Sequence, residues 1–247
     1  MNTQRIFLFD GSFEGLLSCI YCIYTENVKQ FKVIRTTEPV EDLFIEKTYV
    51  QTDLEKARRV WDTFIQKTSR ISPERVLLAY LSDKRGEEQT IVQYIKYMID
   101  SKRNQEQNLE NTWVRRMKAL VEDVHLERLR IKSILKFELL ENSIYYAEIH
   151  SKYNVLPLIS FELSRRTANK PWIIYDNDRN YGVHFNLVKL KEMKVEIAEN
   201  APSFNIFQED GLLLSVLKTH KHLNEQQVLV SYEYFSKMSN ALIPTIA

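Results

Sequence analysis

Between residues 112 and 187 the chain changes its hydrophobic period, and this change restricts the fold more than any other feature. Laid out at about 100° per residue, Trp113, Met117, Leu120, Val124, Ile131 and Leu135 fall within an arc of about 60°, the stripe a helix turns toward a core. The pattern predicts one helix from Thr112 to Leu139, about 28 residues and about 42 Å long. Beyond it the period falls to two. Strands are expected over 144–149 and 172–176, a turn at Asn177-Asp178-Arg179-Asn180, and a return strand over 181–187. A short helix over 155–164, a further strand near 194–198 and two closing helices, 209–222 and 225–238, complete this half.

The N-terminal half opens differently. Arg5 to Phe9 is a β-rich run that breaks at Asp10-Gly11, and Phe13 to Tyr24 then reads as an apolar helix. Strands are expected over Phe31–Arg35 and near Thr48–Gln51. Thr52-Asp53-Leu54-Glu55 has the form of a capping box, with Thr52 as N-cap of a helix reaching Phe64. Ser72-Pro73 has the form of an N-cap followed by proline at the first helical position. Helix is expected again over about 87–102. The polar stretch 102–111 (KRNQEQNLEN) is the best candidate linker. These elements predict an α+β, helix-rich protein with a small N-terminal strand-turn-helix unit and a mainly antiparallel sheet in the second half. The 247 residues read as a single domain that may be drawn as two lobes, 1–107 and 108–247.

Composition removes several function classes. Five glycines, at 11, 15, 86, 182 and 211, form neither of the glycine-rich phosphate loops, G-x-G-x-x-G and G-x-x-x-x-G-K-[ST]. Two cysteines cannot hold an iron–sulfur cluster, which takes about four thiolates. Cys19 and Cys22 match C-x-x-C, but they sit inside an apolar helical run where cysteine acts as a small hydrophobe. His220 and His222 alternate on a predicted helix, where i and i+2 diverge, so no metal site is expected and no cofactor is called for. With no signal peptide and no membrane-length apolar run, the expectation is a cytoplasmic protein.

The formal charge of +1 argues against a general polyanion binder, yet it conceals a local excess. From Trp113 to Phe137 there are seven basic and three acidic residues. Lys118, Arg128, Lys132 and Lys136 share an arc of about 80° beside the apolar stripe. A second cationic group, Arg165, Arg166, Lys170 and Arg179, flanks an aromatic hairpin containing Trp172, Tyr175, Tyr181 and Phe185. Cations interleaved with aromatics can hold phosphate and stack on bases, although a charged outer helix face and a core-facing aromatic strand give the same pattern. At Asp10-Gly11-Ser12-Phe13-Glu14, two carboxylates and a hydroxyl meet at a strand end and a helix start. They can serve as acid, base or ligand clamp, or they can cap the helix.

Several stretches together resemble a bacterial family assigned to DNA metabolism and of unknown function. They are Phe9-Asp10-Gly11-Ser12-Phe13-Glu14-Gly15-Leu16-Leu17; Thr52-Asp53 with Lys56-Ala57-Arg58-Arg59-Val60-Trp61; Leu81-Ser82 with Gly86 and Glu88; Val124 to Phe137; and Tyr146-Ala147 with Tyr153-Asn154-Val155-Leu156-Pro157-Leu158. Arg166, Ala168, Trp172-Ile173-Ile174-Tyr175-Asp176, Arg179 and Tyr181-Gly182 complete the set. The resemblance spans about residues 5–190. Members of that family sit beside a radical-SAM protein assigned to DNA modification or repair, and some are fused to a uracil-DNA-glycosylase-like domain. Where the family usually reads Arg-Glu-x-His-Arg-Met, this chain has Leu126-Glu127-Arg128-Leu129-Arg130-Ile131, so a cation and an imidazole are replaced by leucines. Its end, Tyr232 to Met238, is also less basic than the family's.

The resemblance therefore implies a DNA repair or modification accessory protein that binds nucleic acid or a radical-SAM partner. The residues expected to carry this are Lys118, Arg128, Lys132, Lys136, Arg165, Arg166, Arg179 and Trp172. Two alternatives stand beside it. One is a metal-independent enzyme acting on a nucleotide or base with Asp10, Ser12 and Glu14, and the other is a module for protein interaction alone.

Overall fold

The computed structural model describes residues 4–40, 45–140, 143–166 and 169–193. The protein is α+β, and its chain divides between Glu122 and Asp123 into two compact units. The strand expected at 194–198, both closing helices, and His220 and His222 lie outside the described residues.

The first unit is built on a three-stranded, wholly parallel sheet of order β2-β1-β3, comprising β1 (Arg5–Phe9), β2 (Phe31–Arg35) and β3 (Glu46–Tyr49). As the central strand, β1 buries Ile6, Phe7, Leu8 and Phe9 in succession, so its apolar run is continuous rather than alternating. Helix α1 (Phe13–Thr25) forms the crossover from β1 to β2. Gly11, at φ +85, makes the sharp exit from β1, a left-handed conformation that favours glycine. Three helices follow: α2 (Leu54–Lys67), α3 (Ile71–Leu81) and α4 (Glu87–Asp100).

Two of the expected caps are corrected by tertiary contacts. Asp53, not Thr52, caps α2, accepting the backbone N–H groups of Glu55 and Lys56 at 3.0 and 3.1 Å. The Thr52 hydroxyl instead donates to Asp10 at 2.7 Å. Likewise α3 begins at Ile71, before Ser72, and the buried Ser72 hydroxyl bonds Tyr94 at 2.6 Å rather than capping the helix. Residues 102–111 form neither helix nor strand, yet they are tied down. The buried Glu106 accepts the N–H of Ser69 at 2.8 Å, and Arg75 donates to the Glu106 carbonyl at 3.0 Å.

Helix α5 (Thr112–Ile134) is capped by Asn111, whose side chain accepts the N–H groups of Trp113 and Val114. It ends five residues earlier than its periodicity suggests, because Glu138 and Leu139 pair with Tyr146 and Tyr145 as strand β4 (Glu138–Leu139). The second unit then carries a five-stranded sheet of order β4-β5-β6-β7-β8. Its strands are β5 (Tyr145–Ile149), β6 (Trp172–Asp176), β7 (Tyr181–Phe185) and β8 (Leu190–Met193). All pairs are antiparallel except β5 with β6, which the helix α6 (Leu156–Arg166) joins as a parallel crossover. The expected hairpin is present as β6 and β7. Leu187, at φ +75, lies in the turn that returns the chain as β8.

Candidate functional site

At the carboxyl end of β1 the sequence-predicted trio of Asp10, Ser12 and Glu14 is brought together with Thr52. Asp10 Oδ1 accepts both the backbone N–H and the hydroxyl of Ser12, at 2.9 and 2.5 Å, while its Oδ2 accepts the Thr52 hydroxyl. Ser12 Oγ in turn accepts the N–H of Gly15 at 2.9 Å, the capping bond of α1. Tyr80, buried on α3, donates its hydroxyl to the Gly11 carbonyl at 2.8 Å. Asp10 and Ser12 thus hold the entry of α1 in place.

Glu14 is different. It is 6% exposed, and its Oε2 is buried with no hydrogen-bond partner. Burial, reinforced by the negative charge of Asp10, pushes its carboxyl up to about 7 from an ordinary 4.5. A carboxyl balanced near neutrality can give or take a proton at physiological pH. Burial raises the Cys19 thiol well above the usual range and raises Cys22 in the same direction.

In the second unit the predicted cations fall into separate environments. Lys132 of α5 pairs with Glu162 of α6 and so ties the two helices together, and Arg166, one turn along α6, lies 3.6 Å from the same carboxylate. Arg128 lies one helical turn before Lys132 on α5, whereas Lys136, expected on the same helix face, falls beyond the end of α5 at Ile134. Arg128 is half-buried, with an Nε that has no hydrogen-bond partner, and Lys136 is exposed. Arg165 is exposed and lies 5.9 Å from the Phe161 ring. Lys118 is exposed on the part of α5 that belongs to the first unit.

Arg179 and Trp172 are not on this surface. Arg179 donates to the carbonyls of Ser151 and Lys152 at 2.8 and 3.2 Å and to the fully buried Asp176 at 3.2 Å, which makes it a clamp on the loop after β5. Trp172 is 2% exposed, with its ring 5.5 Å from Phe185 and 6.5 Å from Phe137. In this position the indole belongs to the core and offers no face to a base. Leu126 and Leu129, in contrast, project into solvent at 59% and 55% exposure.

Two features escaped sequence reasoning. Glu127 sits on the apolar stripe of α5 between Val124 and Ile131 and is 8% exposed. It accepts from Arg130 through two hydrogen bonds, from the Lys152 N–H at 2.7 Å and from the Ser151 hydroxyl at 3.1 Å. These donors, with Arg130 first, hold its carboxyl down at about 2. An acid interrupting an apolar stripe was the signal available for it. The second feature is the exposed His150, whose Nδ1 lies 3.1 Å from Asp178 across 28 residues of sequence. Among the described residues no group of three histidine, cysteine or acidic side chains could hold a metal, and no helix is long and apolar enough to cross a membrane.

A family model described as a domain of unknown function, DUF4130, matches residues 85–241. The match takes in α5, the second sheet and the cations around Glu162, and it leaves Asp10, Ser12 and Glu14 outside. No curated protein matches the chain.

Proposed function

The chain belongs to the DUF4130 family, and we propose that it serves in DNA metabolism as an accessory module that holds nucleic acid through the cationic face of its second unit. The observation that carries this reading is the ion pair of Lys132 on α5 with Glu162 on α6, which brings Lys132 to the carboxylate that Arg166 also faces. Around it, α5 supplies Arg128 and Lys132, the residues just after α5 supply Lys136, and α6 supplies Arg165 and Arg166. Such a patch attracts phosphate while the whole chain stays near neutral. The radical-SAM partner rests on the resemblance described above, and the absence of a cysteine set for a cluster leaves any radical chemistry to that partner.

The test is fluorescence anisotropy with labelled single- and double-stranded DNA, comparing the wild type with Arg128→Ala plus Lys132→Ala. Saturable binding that the double variant loses supports the reading. Absence of binding at low salt, or equal binding by the variant, overturns it. Copurification of a radical-SAM protein without nucleic acid would then favour an interaction module.

A second reading is favoured by Glu14, whose buried Oε2 has no hydrogen-bond partner and whose carboxyl feels the charge of Asp10 at the end of the central strand. In it, the first unit is a metal-independent enzyme acting on a nucleotide or base, with Glu14 moving the proton.

A further inference from the structure

Helix α5 carries a second stripe opposite the one it buries. Val124 and Ile131 turn to the core. At about 100° per residue, Glu122, Leu126, Leu129 and Ser133 fall within an arc of about 60° on the far side of the helix from them. All four are exposed. Leu126 and Leu129, at 59% and 55% exposure, are three residues apart and therefore neighbours on the helix surface. A single exposed leucine is ordinary, but two in contact, closed at either end by polar residues, have the form of a contact seam.

Charge selects what fits that seam. Glu122, one turn before Leu126, has no ion pair among the described residues and is exposed. At the other end Arg130 spends Nε and Nη2 on Glu127 and the His150 carbonyl, its side chain is 49% exposed, and its Nη1 has no partner among the described residues. The helix therefore presents acid, leucine, leucine and cation in order, and that order is its own complement when reversed. Laid antiparallel on itself, α5 sets Leu126 against Leu129 and brings Glu122 to the turn that holds Arg130 and Ser133. A parallel pairing would set Glu122 against Glu122 and Arg130 against Arg130. Phosphate is a poor occupant, because the seam offers it two leucines and an acid.

We propose that α5 pairs antiparallel with α5 of a second copy of this chain, Leu126 of each against Leu129 of the other. Such a contact uses the same patch on both chains and closes at two. Four leucines supply less area than the roughly 1,200 Å² of a stable interface, so the dimer is weak, with a dissociation constant above about 1 µM. Arg128 and Lys132 fall outside the arc of the seam, so pairing leaves them open to nucleic acid and does not depend on it.

The experiment is analytical ultracentrifugation of the full chain without nucleic acid, from about 1 to 300 µM. The weight-average mass is expected to climb from one chain toward two. Leu126→Glu plus Leu129→Glu should stay monomeric over the same range with an unchanged circular dichroism spectrum, since both positions are exposed. Orientation is read from oxidative cross-linking of Leu126→Cys and Leu129→Cys. A mixture of the two variants should cross-link faster than either alone, because antiparallel pairing sets position 126 against 129. The proposal is overturned if the wild type is monomeric throughout, if the double glutamate variant dimerises as the wild type does, or if either cysteine variant alone cross-links as fast as the mixture. Loss of DNA binding with dimerisation intact would remove the nucleic-acid reading and leave this one standing.

Discussion

Glu127, an acid on the apolar stripe of α5, accepts the backbone N–H of Lys152 at 2.7 Å and so fixes the loop after β5 to the helix. The same carboxylate holds Arg130, which donates on to the His150 carbonyl at 2.9 Å. Replacing Glu127 by alanine strands these donors, and we expect a loss of about 3 kcal/mol in chemical denaturation, most of it from buried groups left unpaired. Because the folded carboxyl is held at about 2, below its ordinary 4.5, the stabilisation is present above pH 4.5 and is lost as pH falls toward 2. Glu127→Gln should flatten that acid limb of the stability curve.

Glu14 works in the opposite direction. Its folded carboxyl is raised by burial to about 7, so the native state binds a proton that the unfolded state has released between pH 4.5 and 7. Stability contributed by this group therefore falls as pH rises through that window, by about 3 kcal/mol in total. Glu14→Gln should stabilise the protein above pH 7 and change little below pH 4.5, as read from thermal unfolding across pH.

Gly15 is held against the same cluster. A Cβ there would stand 2.4 Å from Asp10 Oδ1 and 2.9 Å from both Ser12 Oγ and Thr52 Oγ1. Gly15→Ala gains helix propensity, but it must displace three mutually bonded side chains, and we expect a net loss of about 1–3 kcal/mol. A denaturation midpoint equal to or above that of the wild type would contradict the packing described.

Glu162 offers a gain-of-function test. Its carboxylate neutralises part of the charge of Lys132 and Arg166. Glu162→Gln should tighten DNA binding about two- to fivefold at low salt, in line with the modest energy of exposed ion pairs. The gain should vanish as salt rises.

Local patterns made much of this architecture legible. The β1-turn-α1 opening follows from an apolar run ending at Asp10-Gly11, and the β6–β7 hairpin follows from alternation around Asn177–Asn180. What local patterns could not supply is the partner of each polar side chain. Thr52 and Asp53 are both good caps, and Asp10, 42 residues from Thr52, decides between them. Arg179 reads as a surface cation beside aromatics, but the carbonyls of Ser151 and Lys152 draw it into a structural role. Ser72 before proline reads as a cap until Tyr94 claims its hydroxyl.

A face of α5 and α6 that holds phosphate makes DNA affinity depend on salt. With about four phosphates neutralised on duplex DNA, log K should fall with log salt at a slope of about −3 to −4. Arg128→Ala plus Lys132→Ala should reduce that slope by about two. Affinity that is independent of salt, or a slope the double variant leaves unchanged, would mean that this face does not hold phosphate.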